Sequence, residues 1–512
     1  MKTILGKIHL KWCKNCNVPV LDKKCGICGS DTYNVKLTPP ADARPSFKED
    51  IRMINNILKN QYGIRDDIFK NKIVLLNKIP GKDYMKEIIL DGMVFGILKY
   101  DDEKNNWSVL PTVEGSRRII NAGGNKKIIV IKKEVVPFIL KKHASVLRPG
   151  VVYASEDMEK NDDVIILVEN EKDKEKDKEK DEKKDKDYKK YTCKKNNFKG
   201  INVLGVGRAR MNYNEITNLE KGMVAKVRHA ETPKKANYLK ETGNFEVSIK
   251  KMIEANENAI DKFESNSVGF MRNTIKGRTN KPPVVAYSGG KDSLVVLLLA
   301  LKAFENEDIK FDVLFTDTGL ELDETLKNIS DVEKRYNISI IKAKSDDFWK
   351  KLEEYGPPGR DYRWCSEVCK MKPLEKIINT KYPNGCLTFV GLRKYESMNR
   401  SKKPRIWQSP HIKKQMLSAP ILNWSAMHVW IYLFKNNAPY NKLYEKCFDR
   451  VGCYMCPAME LGEIELIKKL YPELWKKWED FLIDYAKRNN LDDEWVRSGW
   501  RWKYHKKEKV KN

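Results

Sequence analysis

The chain has 512 residues, too many for one hydrophobic core, so roughly two to four domains are expected. Hydrophobic residues make up 41% and aromatic residues 10%, enough for packed domains, and no apolar run approaches the ~18 residues of a membrane span. Lys plus Arg number 98 against 71 Asp plus Glu, a net charge of +27 that suits a polyanionic partner such as RNA. The opening stretch is interrupted by Lys7 and Lys11 and does not read as a signal peptide, so a cytoplasmic address without a membrane partner is expected.

Residues 1–38 carry two Cys-x-x-Cys knuckles, Cys13/Cys16 and Cys25/Cys28. Each knuckle places two thiolates on one tight turn, and four soft ligands with no open position describe a closed tetrahedral Zn²⁺ site; a rubredoxin-like iron is the alternative. Residues 39–125 read as a small α+β module, with a helix over 50–58 and strands over 73–76, 93–98 and 107–111. No catalytic constellation falls within it.

Over residues 126–230 a new pattern begins. Val146-Leu-Arg-Pro-Gly-Val-Val152 is followed by a strand over 164–168 after Asp162-Asp163, then by Val203-Leu-Gly-Val-Gly-Arg-Ala-Arg-Met211 and Lys221-Gly-Met-Val-Ala-Lys-Val227. In order and content these pieces resemble a PUA domain, and the resemblance implies a small β-barrel that contacts structured RNA. Arg208, Arg210, Lys226 and Arg228 would supply phosphate partners if they share a face. The run 171–190 has nearly cancelling charge and no apolar face, so it reads as a solvated insertion, and Cys193 as a lone thiol. Residues 231–280 read as a helical linker whose stripe, Val247, Ile249, Met252, Ile253 and Ile260, is expected to clamp the barrel to the catalytic domain.

Residues 281–457 hold the chemistry. Val284-Val-Ala-Tyr287 runs into Ser288-Gly289-Gly290-Lys291-Asp292-Ser293 and then into an apolar helix, so strand, glycine turn and helix succeed one another without a gap. Such a turn brings backbone amides onto an anion at a helix N-terminus, with hydroxyls from Ser288 and Ser293, a point charge from Lys291 and an Asp292 carboxylate suited to Mg²⁺. The hexapeptide resembles the PP-loop signature of the adenine-nucleotide alpha-hydrolase superfamily, and its surroundings look like the PAPS-reductase branch. Strand runs over 311–316, 338–343 and 386–391, separated by helices over 324–335 and 367–378, imply a doubly wound parallel α/β sheet with its ligand at the carboxyl ends of the strands. The expected fold is therefore multidomain, with zinc ribbon, α+β module and PUA-like barrel preceding the α/β sheet.

Thr316-Asp317-Thr318-Gly319 resembles the branch's TDTG turn, and Gly391-Leu-Arg393-Lys-Tyr-Glu396-Ser397-Met-Asn-Arg400 its GxR-x-x-E-S-x-x-R element. The resemblance implies that Asp317 and Gly319 serve ribose or metal, that Arg393 and Arg400 grip phosphate or sulfate, and that Lys291, Asp292 and Asp317 are the catalytic set. Cys365/Cys369 and Cys453/Cys456 look like the branch's iron–sulfur half, although this chain has Ser366 where the family has a second adjacent cysteine. A four-iron cluster or Zn²⁺ suits these four thiolates. Cys386, inside a strand run, reads as core, and Cys447 as a spare ligand. Residues 458–512 read as one amphipathic helix over 461–488 with Leu466, Leu470, Leu474, Trp475 and Trp478 as its stripe, ending in a basic aromatic tail from residue 500.

Together these features predict an enzyme that uses ATP with Mg²⁺ on RNA, with tRNA as the expected pool: adenylation with cleavage between the α and β phosphates, then thiolation, with a sulfur or electron donor protein as partner. The alternatives are reduction of adenylyl sulfate or its 3′-phosphate, and RNA binding with a non-catalytic nucleotide site. The loop keeps both glycines and its Lys-Asp-Ser ending, and no cysteine follows Cys456, so the thiolate attack typical of the reductases lacks its nucleophile.

Overall fold

Downstream of residue 281, short β-branched runs alternate with amphipathic helices, a pattern that can bury both faces of a sheet only if the strands run parallel. The computed structural model, which describes residues 9–142, 144–169, 198–278, 281–305, 307, 309–345 and 347–503, has this arrangement. Five strands lie parallel in the order Ile340–Lys344, Asp312–Asp317, Pro283–Ala286, Cys386–Phe389 and Gln415–Ser418, with Ile406–Gln408 antiparallel at the edge. The chain winds outward from Pro283–Ala286 to one side and later returns to its other side with Cys386–Phe389. That reversal opens a crevice beyond the carboxyl ends of these two strands. The charged run 171–190, Cys193 and residues 504–512 lie outside the described residues.

Upstream, Lys11–Cys13 pairs with Val18–Val20 and Tyr33–Asn34 to form the knuckle sheet. The small module is a five-stranded antiparallel sheet carrying helices Lys48–Tyr62 and Val113–Asn121. It includes Met85–Leu90, a strand whose Lys86 and Glu87 interrupt any apolar pattern in the sequence yet are both buried. The barrel closes in the order Val146–Leu147, Met223–Ala230, Val203–Ala209, Asp163–Val168, Ile128–Ile131 and Val151–Ala154. Module and barrel share one apolar core. Among the described residues no helix is long and apolar enough to cross a membrane.

Three expectations need correction. The linker folds as a 34-residue helix, Phe245–Arg278, but it does not clamp the barrel. Its Asn256 side chain donates to Pro19 O (2.9 Å) and accepts from Leu21 N (2.7 Å), and its Ala255 O accepts from Gly26 N (3.0 Å), so it fastens the cysteine knuckles. A side chain at Gly26 would sit 2.5 Å from the Glu254 carbonyl, which is why this knuckle can lie flat on the helix. The helix meets the catalytic domain through Ser267, which donates to Pro420 O (3.1 Å), and knuckle, helix and parallel sheet share one core. The stretch 461–488 is two helices, Leu461–Leu470 and Pro472–Arg488, because Pro472 lacks an N–H and Tyr471 leaves helical geometry at φ −136°. Trp475 and Trp478 of the expected stripe are buried, while Leu470 and Leu474 are exposed. Finally, the tail does not start at residue 500: Trp500 is 1% exposed and Arg501 4%, both packed inside.

Candidate active site and cysteine centres

The glycine turn leaves Pro283–Ala286 and enters helix Lys291–Phe304 at the crevice. Gly289 takes φ +72°, and a Cβ there would meet the Thr325 side chain at 2.8 Å, so glycine is required on both counts. Ser288 N donates to Ser293 Oγ (3.2 Å), the two serine hydroxyls are 3.1 Å apart, and Ser293 Oγ donates to Gly290 O (2.9 Å). The amide of Lys291, at the helix start, donates to the hydroxyl of Tyr444 (2.9 Å). Gly391, just past the neighbouring strand Cys386–Phe389, presses on the turn: a Cβ there would lie 2.6 Å from Ser293 N and 2.7 Å from the Asp292 carbonyl carbon.

Beneath the turn runs a buried chain of alternating charge. Lys291 Nζ meets Asp292 (2.7 Å), Asp292 accepts from Arg393 Nε (2.6 Å), and Arg393 donates to Asp42 of the small module (2.8 Å). Burial opposes ionisation of Asp292, but the charges of Arg393 and Lys291 outweigh it and hold the pKa down to about 2. Burial likewise works against the charge on Arg393, and Asp292 and Asp42 more than restore it. Asp42 also accepts from Ala426 N (2.5 Å). Asp292 and Arg393, expected at metal and phosphate, are each engaged by their neighbours here, and Arg393 is 2% exposed.

Asp317 ends the adjacent strand, half-buried, and accepts from Gly319 N (3.0 Å), with Gly319 at φ +74°. Arg400, expected at the same anion, pairs with Glu396 and lines the cysteine cavity instead. The TDTG turn connects the two regions: Thr318 Oγ1 is 3.5 Å from Cys453 Sγ, and Tyr454 N donates to Leu320 O (3.1 Å).

The structure brings Cys365, Cys369, Cys453 and Cys456 to the wall of one cavity of about 400 Å³, together with Lys370 and Arg450. Cys365 lies on helix Trp364–Ser366 and Cys369 in a π-helical turn, Glu367–Met371, which widens the spacing that a regular i, i+4 pair would have. Burial pushes the thiols of Cys369 and Cys453 up to about 11. The turn that carries Cys456 is clamped twice: Arg360 donates to Pro457 O (2.9 Å) and Met459 O (2.7 Å), and Arg501 donates to the same two oxygens (3.2 and 2.5 Å). Neither arginine, nor Tyr444, Asp42 or Lys370, was assigned a role by sequence reasoning; the partners are distant in the chain and no motif joins them.

In the knuckles, one ligand atom from each of Cys13, Cys16, Cys25 and Cys28 lies within 4.8 Å of the others, and Cys13 Sγ is 3.6 Å from Cys28 Sγ. Thiolates on one zinc ion are separated by about this much, so the set fits the metal. Hydrogen bonds from Ser30 lower Cys28 to about 6, and burial raises Cys13 and Cys16. Among the described residues this is the one group of three or more such side chains gathered closely enough to hold a metal ion. On the barrel, Arg208 stands opposite Lys226 in register, and with Arg210 and Arg228 all four are exposed, Arg228 being paired to Asp163 (2.8 Å).

Residues 282–459 match the family model "Phosphoadenosine phosphosulfate reductase domain", and residues 127–230 match "PUA domain". "Uncharacterized protein MJ0066" of Methanocaldococcus jannaschii is 48% identical, with 98% of each chain covered. "Adenosine 5'-phosphosulfate reductase" of Oceanobacillus iheyensis is 31% identical over 34% of this chain and 70% of its own length. A solved phosphoadenylyl-sulfate (PAPS) reductase from Candida auris aligns at a TM-score of 0.29 with 18% identity, covering 38% of this chain and 95% of that one, too remote to argue from. With its nucleotide turn, cysteine cavity and barrel, the chain belongs to the phosphoadenosine phosphosulfate reductase domain family and also carries a PUA domain.

Proposed function

We propose that the protein is an RNA-modifying PP-loop enzyme that adenylates a base with ATP and exchanges the activated oxygen for sulfur. The observation that carries this reading is the shared TDTG turn, whose Asp317 flanks the nucleotide turn while its neighbour Thr318 contacts Cys453 at 3.5 Å. Activation and sulfur chemistry then meet within one crevice. The exposed basic face of the PUA barrel supports RNA as the substrate, which it would hold through phosphates.

In this scheme the amides of residues 289–291 and the hydroxyls of Ser288 and Ser293 hold the β and γ phosphates, with the Tyr444 hydroxyl yielding its place at Lys291 N to a phosphate oxygen. Lys291 offsets the charge that grows on pyrophosphate as it leaves. Asp292, fixed by Arg393, keeps Lys291 in position. Asp317 would hold Mg²⁺ or a ribose hydroxyl. A carbonyl oxygen of the base attacks the α-phosphorus, the bond to the β-phosphate oxygen breaks, and pyrophosphate departs. A hydrosulfide-level sulfur from a donor then attacks the base carbon, the carbon–oxygen bond breaks, and AMP leaves with that oxygen. Cys365, Cys369, Cys453 and Cys456 would hold an iron–sulfur cluster or zinc that binds or delivers sulfide. The knuckle zinc would be structural.

A second reading, reduction of adenylyl sulfate, is favoured by the relationship to the Oceanobacillus enzyme and by the lower cysteines. It requires a thiolate free to attack sulfur, and the two described cysteines outside the metal sets, Cys386 and Cys447, are 0% and 5% exposed. The test is incubation of the anaerobic protein with ATP, a tRNA pool and sulfide, followed by mass spectrometry of the digested RNA. A thionucleoside that depends on ATP supports thiolation; sulfite release from adenylyl sulfate with no thionucleoside supports reduction.

A further inference from the structure

A second cavity, of about 370 Å³, opens between the small module and the catalytic domain. Its lining includes Lys291 and Arg393 but none of Ser288, Gly289, Gly290, Asp317 or Gly319, so it adjoins the proposed triphosphate site at Lys291. Leu76, Ile79 and Pro80 from the module and Tyr395 and Ala426 from the catalytic domain give it apolar walls. Its charges are matched in pairs: Lys78 with Glu460 (2.8 Å), Arg44 with Asp449 (2.6 Å) and Arg393 with Asp42 (2.8 Å). Neutralised walls of this kind reject a polyphosphate and accept a flat, uncharged ring that carries a few polar groups. Glu396 and Ser397 lie in the same lining and offer hydrogen-bonding partners for such groups.

One cation departs from the pairing. Arg450 is exposed, forms no ion pair among the described residues, and lines both this cavity and the cysteine cavity. The second cavity therefore adjoins the nucleotide turn through Lys291 and the cysteine cavity through Arg450. Its volume lies near the lower end of the ~300–1,000 Å³ of small-molecule sites, which suits one nucleotide and excludes a duplex.

We propose that this cavity is the acceptor pocket, taking a single unpaired nucleotide of the RNA with its base between the module and the catalytic domain and its phosphate on Arg450. The assignment rests on the RNA-modifying reading above and adds where the reacting base enters. A paired base cannot reach such a pocket, so the substrate position is unstacked or swung out of its helix. The small module thereby acquires a role: it supplies one wall of the pocket, and its Asp42 fixes the arginine beneath the nucleotide turn.

The test uses the full chain, a tRNA pool and ATP labelled at the α-phosphate. Wild-type protein should form AMP on addition of RNA; if it forms none, the functional reading and this proposal both fail. If it does, Pro80→Trp, which fills the cavity from the module side, should lower RNA-stimulated AMP formation at least tenfold with an unchanged melting midpoint. Arg450→Ala should raise the apparent KM for RNA at least fivefold. Equal stimulation in Pro80→Trp overturns the pocket while leaving the functional reading intact. As a second measurement on unaltered protein, RNA carrying 4-thiouridine should crosslink on irradiation within residues 76–81 or 393–397. Crosslinks confined to other regions, or stimulation by protein in place of RNA, overturn the assignment.

Discussion

Replacing Asp449 by asparagine should loosen the small module from the catalytic domain. Asp449 receives Lys86 at 2.7 Å and Arg44 at 2.6 Å, both from the module, and Arg44 also pairs with Asp50 at 2.7 Å. The Lys86 ammonium is 1% exposed, and the Asp449 carboxylate is its ion-pair partner, with the Tyr84 ring 4.2 Å away. Removing one member of a buried pair costs ~3–5 kcal/mol, because the partner stays buried and uncompensated. Here the lower end applies, since Arg44 keeps Asp50 and the Asp449 side chain is 15% exposed. At about 3 kcal/mol the melting midpoint should fall by roughly 6–12 °C, read by calorimetry or circular dichroism. Adding Lys86→Met, which removes the stranded charge while keeping its volume, should recover most of the loss. The sign with pH comes from the same contacts. Burial opposes ionisation, but Lys86 and Arg44 hold the Asp449 carboxyl far below its ordinary 3.8, so its stabilisation is complete above that value and disappears as pH falls toward the depressed one. The gap between parent and variant should be flat between about pH 8 and 5 and narrow below about pH 4. A single variant that melts within about 1 °C of the parent, or a double variant no better than the single, would refute this reasoning.

Gly391→Ala places a methyl group 2.6 Å from Ser293 N, backbone against backbone, and should weaken ATP binding at least tenfold, about 1.4 kcal/mol, by calorimetric titration. Cys13→Ser should lose the knuckle zinc, read by elemental analysis, and lower the melting midpoint, since the knuckles share a core with helix Phe245–Arg278 and the parallel sheet. Arg501→Ala removes one of two clamps on Pro457 O and Met459 O, a loss of about 1.5–3 kcal/mol per charged hydrogen bond. It should release metal from the lower cysteines faster in a chelator challenge, with Arg360 preserving part of the hold.

Features that are contiguous in the chain were legible in the sequence. The nucleotide turn is six neighbouring residues at a strand-to-helix junction, and the knuckles declare themselves by spacing, so both needed only local chemistry. The barrel strands Asp163–Val168, Val203–Ala209 and Met223–Ala230 could be read through the ordered PUA-like pieces, whereas Ile128–Ile131 was not read as a strand. What escaped is what distant contacts decide. Nothing near Arg393 in sequence reveals Asp42, 351 residues away, which engages it. Met85–Leu90 was missed as a strand because Lys86 and Glu87 look like surface residues until Asp449 and Asn77 are placed beside them. Trp500 and Arg501 read as the start of a tail because their partners, Trp478 for the one and Pro457 O for the other, lie elsewhere in the chain. The break at Pro472 is the exception: its signal was local, and the apolar stripe on either side concealed it.

Adenylation as the activity of this protein depends on which bond of ATP is broken. Phosphorus NMR of the anaerobic protein with ATP, Mg²⁺ and the tRNA pool resolves this directly. AMP and pyrophosphate appearing together, and only with RNA present, is the predicted outcome. ADP with inorganic phosphate, or ATP unchanged despite bound RNA, would contradict it.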